Sequence, residues 1–374
     1  MEPLIFTLPL MQMASGDTLS LQVYEFTGAT AGKTAYIQAN LHGAELAGNA
    51  VIHRLIQHLS AQPPDYLAGT LRLVPVCNPL GVNTRAHNFA SGRYNPYDGR
   101  DYNRIFWDYE KAAGDIAGFA EAHRNSAAAD ILQAYRHQIQ AAFQREREAI
   151  QAAPHLPVHQ LYRNQLQSLA LDADYVIDLH TSSNRGLTYL YFMEGRSLGA
   201  RLFNLDFAIL LDDYDGDAFD EAFLKPWLAL ERSLSDLGRT VQFDLEAYTL
   251  ELGSGMDLEA PAVERGYQGV MRYLSHKGVL EAPIPADVPE MPLSRTSQVT
   301  KYYAATGGLI ESRVDPGTWV RPGDGLYTLL RFNKSGLLPE AVVQQSDRAG
   351  MVFDVATNRA VNQGEYILAL MQFD

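Results

Sequence analysis

The chain has 374 residues, which is long enough for one large α/β domain and a smaller second domain. Its formal net charge is −14. Proteins that bind nucleic acid need a basic surface, so this acidic balance excludes nucleic acid as a partner. The single cysteine, Cys77, excludes an intrachain disulfide and a cysteine-based zinc site.

Two kinds of sequence feature direct a chain to a membrane, and neither is present. No positively charged residue precedes the apolar part of residues 1–17, and no run of about 18 apolar residues occurs anywhere. We therefore predict no signal peptide, no membrane span, no membrane partner and a cytoplasmic location.

Strand-like apolar segments alternate with helical patterns over residues 34–274. The predicted strands are Thr34–Leu41, Thr70–Cys77, Tyr175–Leu179, Leu187–Phe192 and Ala247–Leu252, and the clearest predicted helices are Leu46–Leu59 and Leu258–Leu274. The alternation is typical of an α/β fold with a largely parallel sheet and helices on both faces. Cys77 is expected to be a buried thiol within the second of these strands.

A helix-rich segment separates the second predicted strand from the third. From about Tyr109 to Leu171, good helix formers dominate and β-branched residues are few. Residues 127–153 form one predicted helix, because apolar side chains recur from Ile131 to Phe143 at the spacing of one helix face. We interpret residues 109–171 as a helical insertion that packs on the core or on a second subunit, which leaves a homo-oligomer open.

Four prolines mark a predicted linker at residues 282–295, namely Pro283, Pro285, Pro289 and Pro292. Beyond it, residues 296–374 contain an internal repeat. Gly308-Leu-Ile is followed by Val320-Arg-Pro-Gly323, and Gly350-Met-Val is followed by Val361-Asn-Gln-Gly364. Two similar β-units with turn glycines predict a small barrel or sandwich with pseudo-twofold symmetry. The predicted domains are therefore 1–281, including the insertion, and 296–374.

His42 and Glu45 lie where the first predicted strand gives way to a helix, and His180 ends the third predicted strand. Two histidines and a glutamate are the ligand set of a hydrolytic zinc site that leaves one coordination position for water. One His-x-x-Glu is unsurprising among 10 histidines. The segments Asp101-Tyr-Asn-Arg104 and Ala247–Gly253 strengthen the interpretation, because they place charged side chains in a loop and near another strand end. The pattern predicts a metallohydrolase with one Zn²⁺ per chain.

Taken in order, five segments of the chain resemble the succinylglutamate desuccinylase/aspartoacylase family, a branch of the zinc carboxypeptidase-like fold. They are His42–Glu45, Asn78–Gly81, Arg93–Phe106, Asp178–His180 and Thr249–Gly253. The resemblance implies a zinc-dependent deacylase of N-acyl amino acids with a C-terminal domain of the lipoyl/biotinyl barrel-sandwich type. Two features depart from the family pattern: Tyr102 replaces a common leucine, and residues 107–171 are longer than the family core needs.

The resemblance makes Glu251 the expected general base, which would take a proton from water and pass it to the leaving nitrogen. Glu251 stands in the family's Thr-x-Glu-x-Gly pattern. Glu246, five residues earlier, is its rival but lacks the Leu-Gly that follows Glu251. Asp101 has two open interpretations: a carboxylate that fixes the tautomer of a ligand histidine, or a loop cap.

The expected substrate is a small molecule that carries a carboxylate. By resemblance, Asn103 and Arg104 anchor this carboxylate and Arg93 supplies a second cation, because a guanidinium binds a carboxylate in two places at once. Arg85 and Arg100 compete with Arg93 for this role. The spacing from Arg93 to Asn103 favours Arg93, because it matches the family pattern.

Three other functions stay open. Gly195-Arg-Ser197-Leu-Gly199 follows a predicted strand, as the nucleophile elbow of a serine hydrolase does, but His276 is the only histidine after Ser197. The others are a zinc carboxypeptidase that acts on peptides and a metal-binding interaction module without catalysis. The C-terminal domain favours the deacylase, because it could narrow the cleft to small molecules. This domain is not expected to carry a lipoyl or biotinyl group, because Lys334, between the two repeats, lacks the apolar neighbours of a lipoyl-carrying lysine.

Overall fold

The computed structural model describes residues 1–155, 157–283 and 287–373. Outside the described residues lie residue 156 of the predicted insertion, residues 284–286 of the predicted linker (Pro285 among them) and residue 374. None of the described helices combines the length and the apolar character that crossing a membrane requires.

A nine-stranded sheet forms the centre of the molecule. Its strands are β1 (Leu4–Gln12), β2 (Thr18–Thr27), β3 (Thr30–Ala39), β4 (Ala68–Val74), β5 (Tyr175–Ser182), β7 (Thr188–Phe192), β8 (Phe207–Leu210), β9 (Glu246–Ser254) and β10 (Leu293–Arg295), and β6 (Arg185–Gly186) belongs to another sheet. They lie in the order β1-β2-β4-β3-β5-β9-β7-β8-β10. Most neighbours are parallel, and the exceptions are β1 with β2, β2 with β4 and β7 with β9. The predicted α/β fold with a largely parallel sheet is confirmed.

Helices cover both faces of this sheet. They are α1 (Ala47–Ser60), α2 (Pro79–Asn83), α3 (Tyr109–Ala113), α4 (Ile116–His123), α5 (Ala128–Ala152), α6 (Val158–Ser168), α7 (Ser197–Leu202), α8 (Phe219–Asp236) and α9 (Ala260–His276). Successive residues of a strand point to opposite faces, so Tyr175 and Ile177 of β5 enter one apolar core and Val176 enters the other. The first core is covered by α1 and α9, and the second by α5 and α8.

The helices α3 to α6 occupy the predicted insertion. α5 is one uninterrupted helix of 25 residues, as the apolar spacing predicted. Tyr135 on its buried face packs edge-on against Trp227 of α8, with ring centroids 5.1 Å apart, and its hydroxyl donates to the Pro226 carbonyl (3.2 Å). The insertion therefore packs on the helical layer of its own chain.

The predicted strand ending at Cys77 is shorter than expected, because β4 stops at Val74. Cys77 is buried, as expected, but lies three residues beyond the strand. Its backbone N–H donates to the Ala39 carbonyl at the end of β3 (2.9 Å).

Residues after 296 form two further sheets. Their strands are β11 (Val299–Tyr303), β12 (Gly308–Arg313), β13 (Trp319–Val320), β14 (Gly325–Arg331), β15 (Glu340–Gln345), β16 (Gly350–Val355), β17 (Ala360–Val361) and β18 (Tyr366–Met371). The two repeats exchange strands symmetrically, because β13 of the first pairs with β16 and β17 of the second pairs with β12. Gly323 and Gly364 occupy matching turns with φ of 93° and 84°, a left-handed conformation that favours glycine.

Two short strands tie the C-terminal sheets to the central one. β10, formed by the last three residues of the predicted linker, pairs with β8 at the edge of the central sheet. β6 follows directly after β5 and pairs with β16. The C-terminal sheets are thereby held against the end of β5 that carries His180.

Candidate metal centre and pocket

His42 and Glu45 lie in a tight loop, residues 40–46, between β3 and α1. Asn40 opens this loop in the left-handed conformation, with φ of 72°, which asparagine adopts more readily than most residues. Its side-chain Nδ2 donates to the carbonyls of Gly43 (3.1 Å) and Glu45 (3.0 Å). The loop is therefore fixed from within.

Glycines allow two other loops to approach the His42–Glu45 loop closely. A Cβ on Gly43 would lie 2.2 Å from the Gly81 carbonyl carbon, and a Cβ on Gly92 would lie 2.3 Å from the Gly81 carbonyl oxygen. Asn78 donates to the Leu41 carbonyl (2.8 Å). The Asn78–Gly81 segment is thus a structural support that holds the His42–Glu45 loop in place.

His42, Glu45 and His180 converge on one buried point. Each offers a nitrogen or oxygen atom, and these three atoms lie within 4.8 Å of one another. Nδ1 of His42 is 3.0 Å from one carboxylate oxygen of Glu45, and Nδ1 of His180 is 2.8 Å from the other. Both imidazoles therefore turn the same ring nitrogen towards Glu45.

A second carboxylate lies behind each imidazole. Nε2 of His42 is 2.9 Å from Oδ1 of Asp101, and Nε2 of His180 is 3.0 Å from Oδ2 of Asp178. A carboxylate that is hydrogen-bonded to the ring, as Asp101 is to His42, fixes the tautomer and orientation of a metal-binding histidine. Two nitrogens and one oxygen, each aimed at a common point, are a donor set that fits a zinc ion with an open coordination position.

The pKa values of Glu45 and Glu251 are shifted in opposite directions by burial and by the charges of this cluster. Burial opposes ionisation of Glu45, but the charges of His42 and His180 outweigh it and lower the pKa of this carboxyl. Glu251 stands opposite His180 in the register of β5 and β9. Burial, followed by repulsion from Glu45, raises the pKa of Glu251 to about 7, which is suitable for a group that exchanges protons at neutral pH.

Arg93 contacts two of the three residues that could hold the metal ion, His42 and Glu45, and also Asp101. Its Nε is 2.9 Å from Asp101, and its terminal nitrogen is 3.2 Å from Nδ1 of His42 and 3.6 Å from Glu45. Its two competitors lie elsewhere in the loop: Arg85 donates to the Val82 and Thr84 carbonyls, and Arg100 is an exposed neighbour of Asp98.

A cavity of about 390 Å³ opens over the cluster. Its lining includes seven predicted site residues: His42, Glu45, Arg93, Asn103, Arg104, His180 and Glu251. Asn103 accepts a hydrogen bond from the Phe219 backbone N–H through Oδ1 (2.9 Å), which leaves its amide nitrogen as the group that can donate to a ligand. Arg104 forms no ion pair within 4.0 Å in the described parts of the chain; its Nη1 donates to the Asn103 carbonyl (2.5 Å), and the rest of its guanidinium is available to an anion.

Several residues of the site were not identified from the sequence. Asp220 and Glu221 of α8 and Lys301 of β11 line the same cavity. Asp178 could have been found, because residues two apart on a strand share a face and it precedes His180 by two. Lys301 had no such signal, since it lies in the C-terminal region and reaches the site only through the docking of β11.

Glu246 and Ser197, the rival catalytic residues, lie outside this cavity. Glu246 starts β9 and is held by Lys277 (2.7 Å) and by the hydroxyls of Tyr248 and Tyr273. Ser197 begins α7, and a Cβ on Gly199 of the same motif would lie 2.2 Å from the Tyr248 hydroxyl. Within the described residues, Ser197 forms no hydrogen bond with a histidine. Gly199 therefore allows this helix to pack closely against Tyr248.

Asp101→Asn is expected to weaken zinc affinity about 10- to 100-fold, as removal of carboxylates behind ligand histidines commonly does. The amide keeps the shape of Asp101 but loses the charge that holds His42 and Arg93. Competition with a coloured zinc chelator measures the affinity. Asp98→Asn in the same loop is the control, because Asp98 contacts His159 at 2.6 Å and is absent from the cavity lining. Equal affinities for the two variants would leave Asp101 as a loop cap.

Comparison with known proteins identifies the family of the chain. The succinylglutamate desuccinylase/aspartoacylase catalytic domain matches residues 31–277. A solved family protein from Shewanella amazonensis is 30% identical, with a TM-score of 0.88 and coverage of 98% of both chains. A second, from Shewanella frigidimarina, is 27% identical, with a TM-score of 0.89 and coverage of 99% of this chain and 97% of that one.

A more distant structure shares the fold. The product-bound ectoine utilization protein EutE from Ruegeria pomeroyi is 18% identical, with a TM-score of 0.67 and coverage of 99% of this chain and 95% of that one. No curated protein matches the chain significantly.

Proposed function

The chain belongs to the succinylglutamate desuccinylase/aspartoacylase family, and from this premise we propose that it hydrolyses the amide bond of an N-acyl amino acid with one zinc ion. One observation carries the proposal. His42, Glu45 and His180 converge on a point beside Glu251, in a cavity that also holds Asn103 and Arg104.

Zinc held by His42, Glu45 and His180 would polarise the scissile carbonyl and lower the pKa of water to about 7. Glu251 then acts as the general base, because its carboxylate lines the same cavity and its Oε2 has no hydrogen-bond partner within the described residues. Having taken the proton from water, Glu251 delivers it to the leaving nitrogen. Its raised pKa suits both steps.

Arg93, Asn103 and Arg104 orient the substrate. Arg93 lies within 3.2 Å of His42 Nδ1, so it can donate to the negative charge that develops on the carbonyl oxygen. The free amide nitrogen of Asn103 and the guanidinium of Arg104 are adjacent donors for the substrate carboxylate. Asp101 positions both His42 and Arg93, because it contacts each at 2.9 Å.

The peptidase alternative differs in the space that it needs. A carboxypeptidase must admit a chain, whereas Lys301 of the C-terminal region lines the cavity that holds the ligand cluster. This contribution from the C-terminal sheets supports a small-molecule substrate over a peptide.

The deciding experiment is a hydrolysis screen with stoichiometric metal analysis. N-acetyl, N-succinyl and longer N-acyl amino acids are compared with C-terminally free peptides. We expect release of the free amino acid from N-acyl amino acids, loss of activity with a chelator, recovery with zinc, and no effect of a serine-directed phosphonate. Preferential cleavage of peptides would favour the carboxypeptidase, inhibition by the phosphonate would favour Ser197, and no hydrolysis at all would favour the interaction module.

A further inference from the structure

A second cavity, of about 750 Å³, adjoins the metal centre. Ser183 lies on its wall and connects the two, because its hydroxyl donates to Oε1 of Glu45 (3.2 Å) and is 3.3 Å from the terminal nitrogen of Arg93. Ala44, between the two ligands of the His42–Glu45 loop, also lines it. No lining residue is shared with the cavity that contains Arg104.

Most of the exposed surface of this second cavity is apolar, although serine, threonine and asparagine residues also line it. Phe89 and Met256 line it and are 61% and 43% exposed, so two large apolar side chains present open surface in one cavity. Exposed apolar surface in a concave site favours an apolar ligand.

The His42–Glu45 loop holds Met256 in place. Its backbone has a φ of 61°, which is uncommon for a residue other than glycine. Its N–H donates to the Ala44 carbonyl at 2.7 Å. The short segment that joins Glu251 to Met256 thus places an apolar side chain beside the metal centre.

The C-terminal region supplies the facing wall. The Thr357 N–H donates to the side chain of Asn184 (3.4 Å), which in turn donates to Asp354 of β16 (3.3 Å). Arg359 is the one lysine or arginine among the described lining residues, and it donates to the carbonyls of Ile310 and Glu311. Because Nη1 of this single cation is already hydrogen-bonded to two carbonyls, a terminal carboxylate finds less compensation here than in the first cavity, which Arg93, Arg104 and Lys301 line.

We propose that this cavity receives the acyl group of the substrate, and that this acyl group is an uncharged aliphatic or aromatic one of about four or more carbons. The inference rests on the proposed function. If Asn103 and Arg104 hold the amino-acid carboxylate in the first cavity, the acyl chain must leave the metal centre in another direction. The second cavity lies on the other side of Ser183, whose hydroxyl contacts Glu45 and Arg93, and most of its exposed surface is apolar.

A matched series of substrates tests the proposal. The zinc-loaded chain is given N-acetyl, N-butanoyl, N-hexanoyl, N-benzoyl and N-succinyl derivatives of each common amino acid. Since each buried methylene is worth roughly fourfold, we expect kcat/KM for hexanoyl to exceed that for acetyl by at least about tenfold. The succinyl group matches the butanoyl group in carbon number but ends in a carboxylate, so it should be the poorer of these two substrates.

A variant in the cavity separates a specific subsite from general hydrophobicity. Met256→Asn keeps a residue that tolerates a positive φ and should lower the hexanoyl-to-acetyl ratio at least about threefold. Leu338→Asn, at an apolar position that is 85% exposed in the C-terminal region, is the control and should leave the ratio at its wild-type value.

Two failures are distinguishable. If acetyl or succinyl derivatives are hydrolysed as well as or better than the hexanoyl derivative, or if Met256→Asn leaves the ratio unchanged, the acyl subsite is wrong while the proposed function stands. If no N-acyl amino acid of any chain length is hydrolysed, the proposed function fails and the acyl subsite fails with it.

Discussion

Glu251→Gln is expected to lower kcat about 10²- to 10⁴-fold while the zinc content stays at its wild-type value, because general acid–base catalysis commonly contributes this much. Glutamine keeps the size of Glu251 and its place opposite His180 in the register of β5 and β9. It cannot take a proton from water, and it cannot return one to the leaving nitrogen. Measured kcat together with metal analysis separates this chemical loss from loss of the ion.

Glu246→Gln and Ser197→Ala are the matched controls for this variant. Glu246 lies at the other end of β9 and binds Lys277, Tyr248 and Tyr273. Its replacement is therefore expected to lower the free energy of unfolding and to leave kcat near the wild-type value. Near-normal turnover of Glu251→Gln would remove Glu251 from the mechanism and direct attention to Glu221, whose pKa burial raises to about 7 in the same cavity.

The fold was predictable where one local signal determines one element. The strand before His42 and the helix after Glu45 were placed within a few residues of β3 and α1, because apolar residues follow the period of each element. α8 was not predicted. It carries Pro226 in its interior, and proline normally argues against a helix.

The two departures from the family pattern turned out to be related. Tyr102, in place of leucine, is buried and packs edge-on against Tyr162 of α6, with ring centroids 5.5 Å apart. α6 belongs to the helical insertion. The larger side chain therefore packs against the inserted segment. Neither feature indicates this contact separately in the sequence.

The candidate site was predictable only to the extent that its residues follow a strand end or a family motif. His42, Glu45 and His180 satisfy both conditions and converge in the structure. Lys301 and Thr357 satisfy neither, because they reach the two cavities through the docking of sheets distant in sequence. Periodicity reports the face of an element and carries no information on what docks against it.

Arg104→Ala is expected to lower kcat/KM for a carboxylate-bearing substrate roughly thirtyfold or more. Arg104 lines the cavity without an ion pair in the described residues, and a bound carboxylate would cover its guanidinium. Truncating one partner of a charge pair that is buried in the complex typically costs about 2–5 kcal/mol. Arg104→Lys should also be impaired, because lysine keeps the charge but loses the two-point geometry of the guanidinium.

Arg100→Ala is the matched control, because Arg100 lies in the same loop, is exposed and is absent from the cavity lining. It should retain the wild-type kcat/KM. A substrate whose α-carboxylate is amidated completes the double comparison: it should be a poor substrate for the wild type, and Arg104→Ala should lower its kcat/KM little further. If the wild type hydrolyses free-acid and amidated substrates equally well, no carboxylate anchor operates at Arg104, and an esterase or a broader amidase becomes the better description.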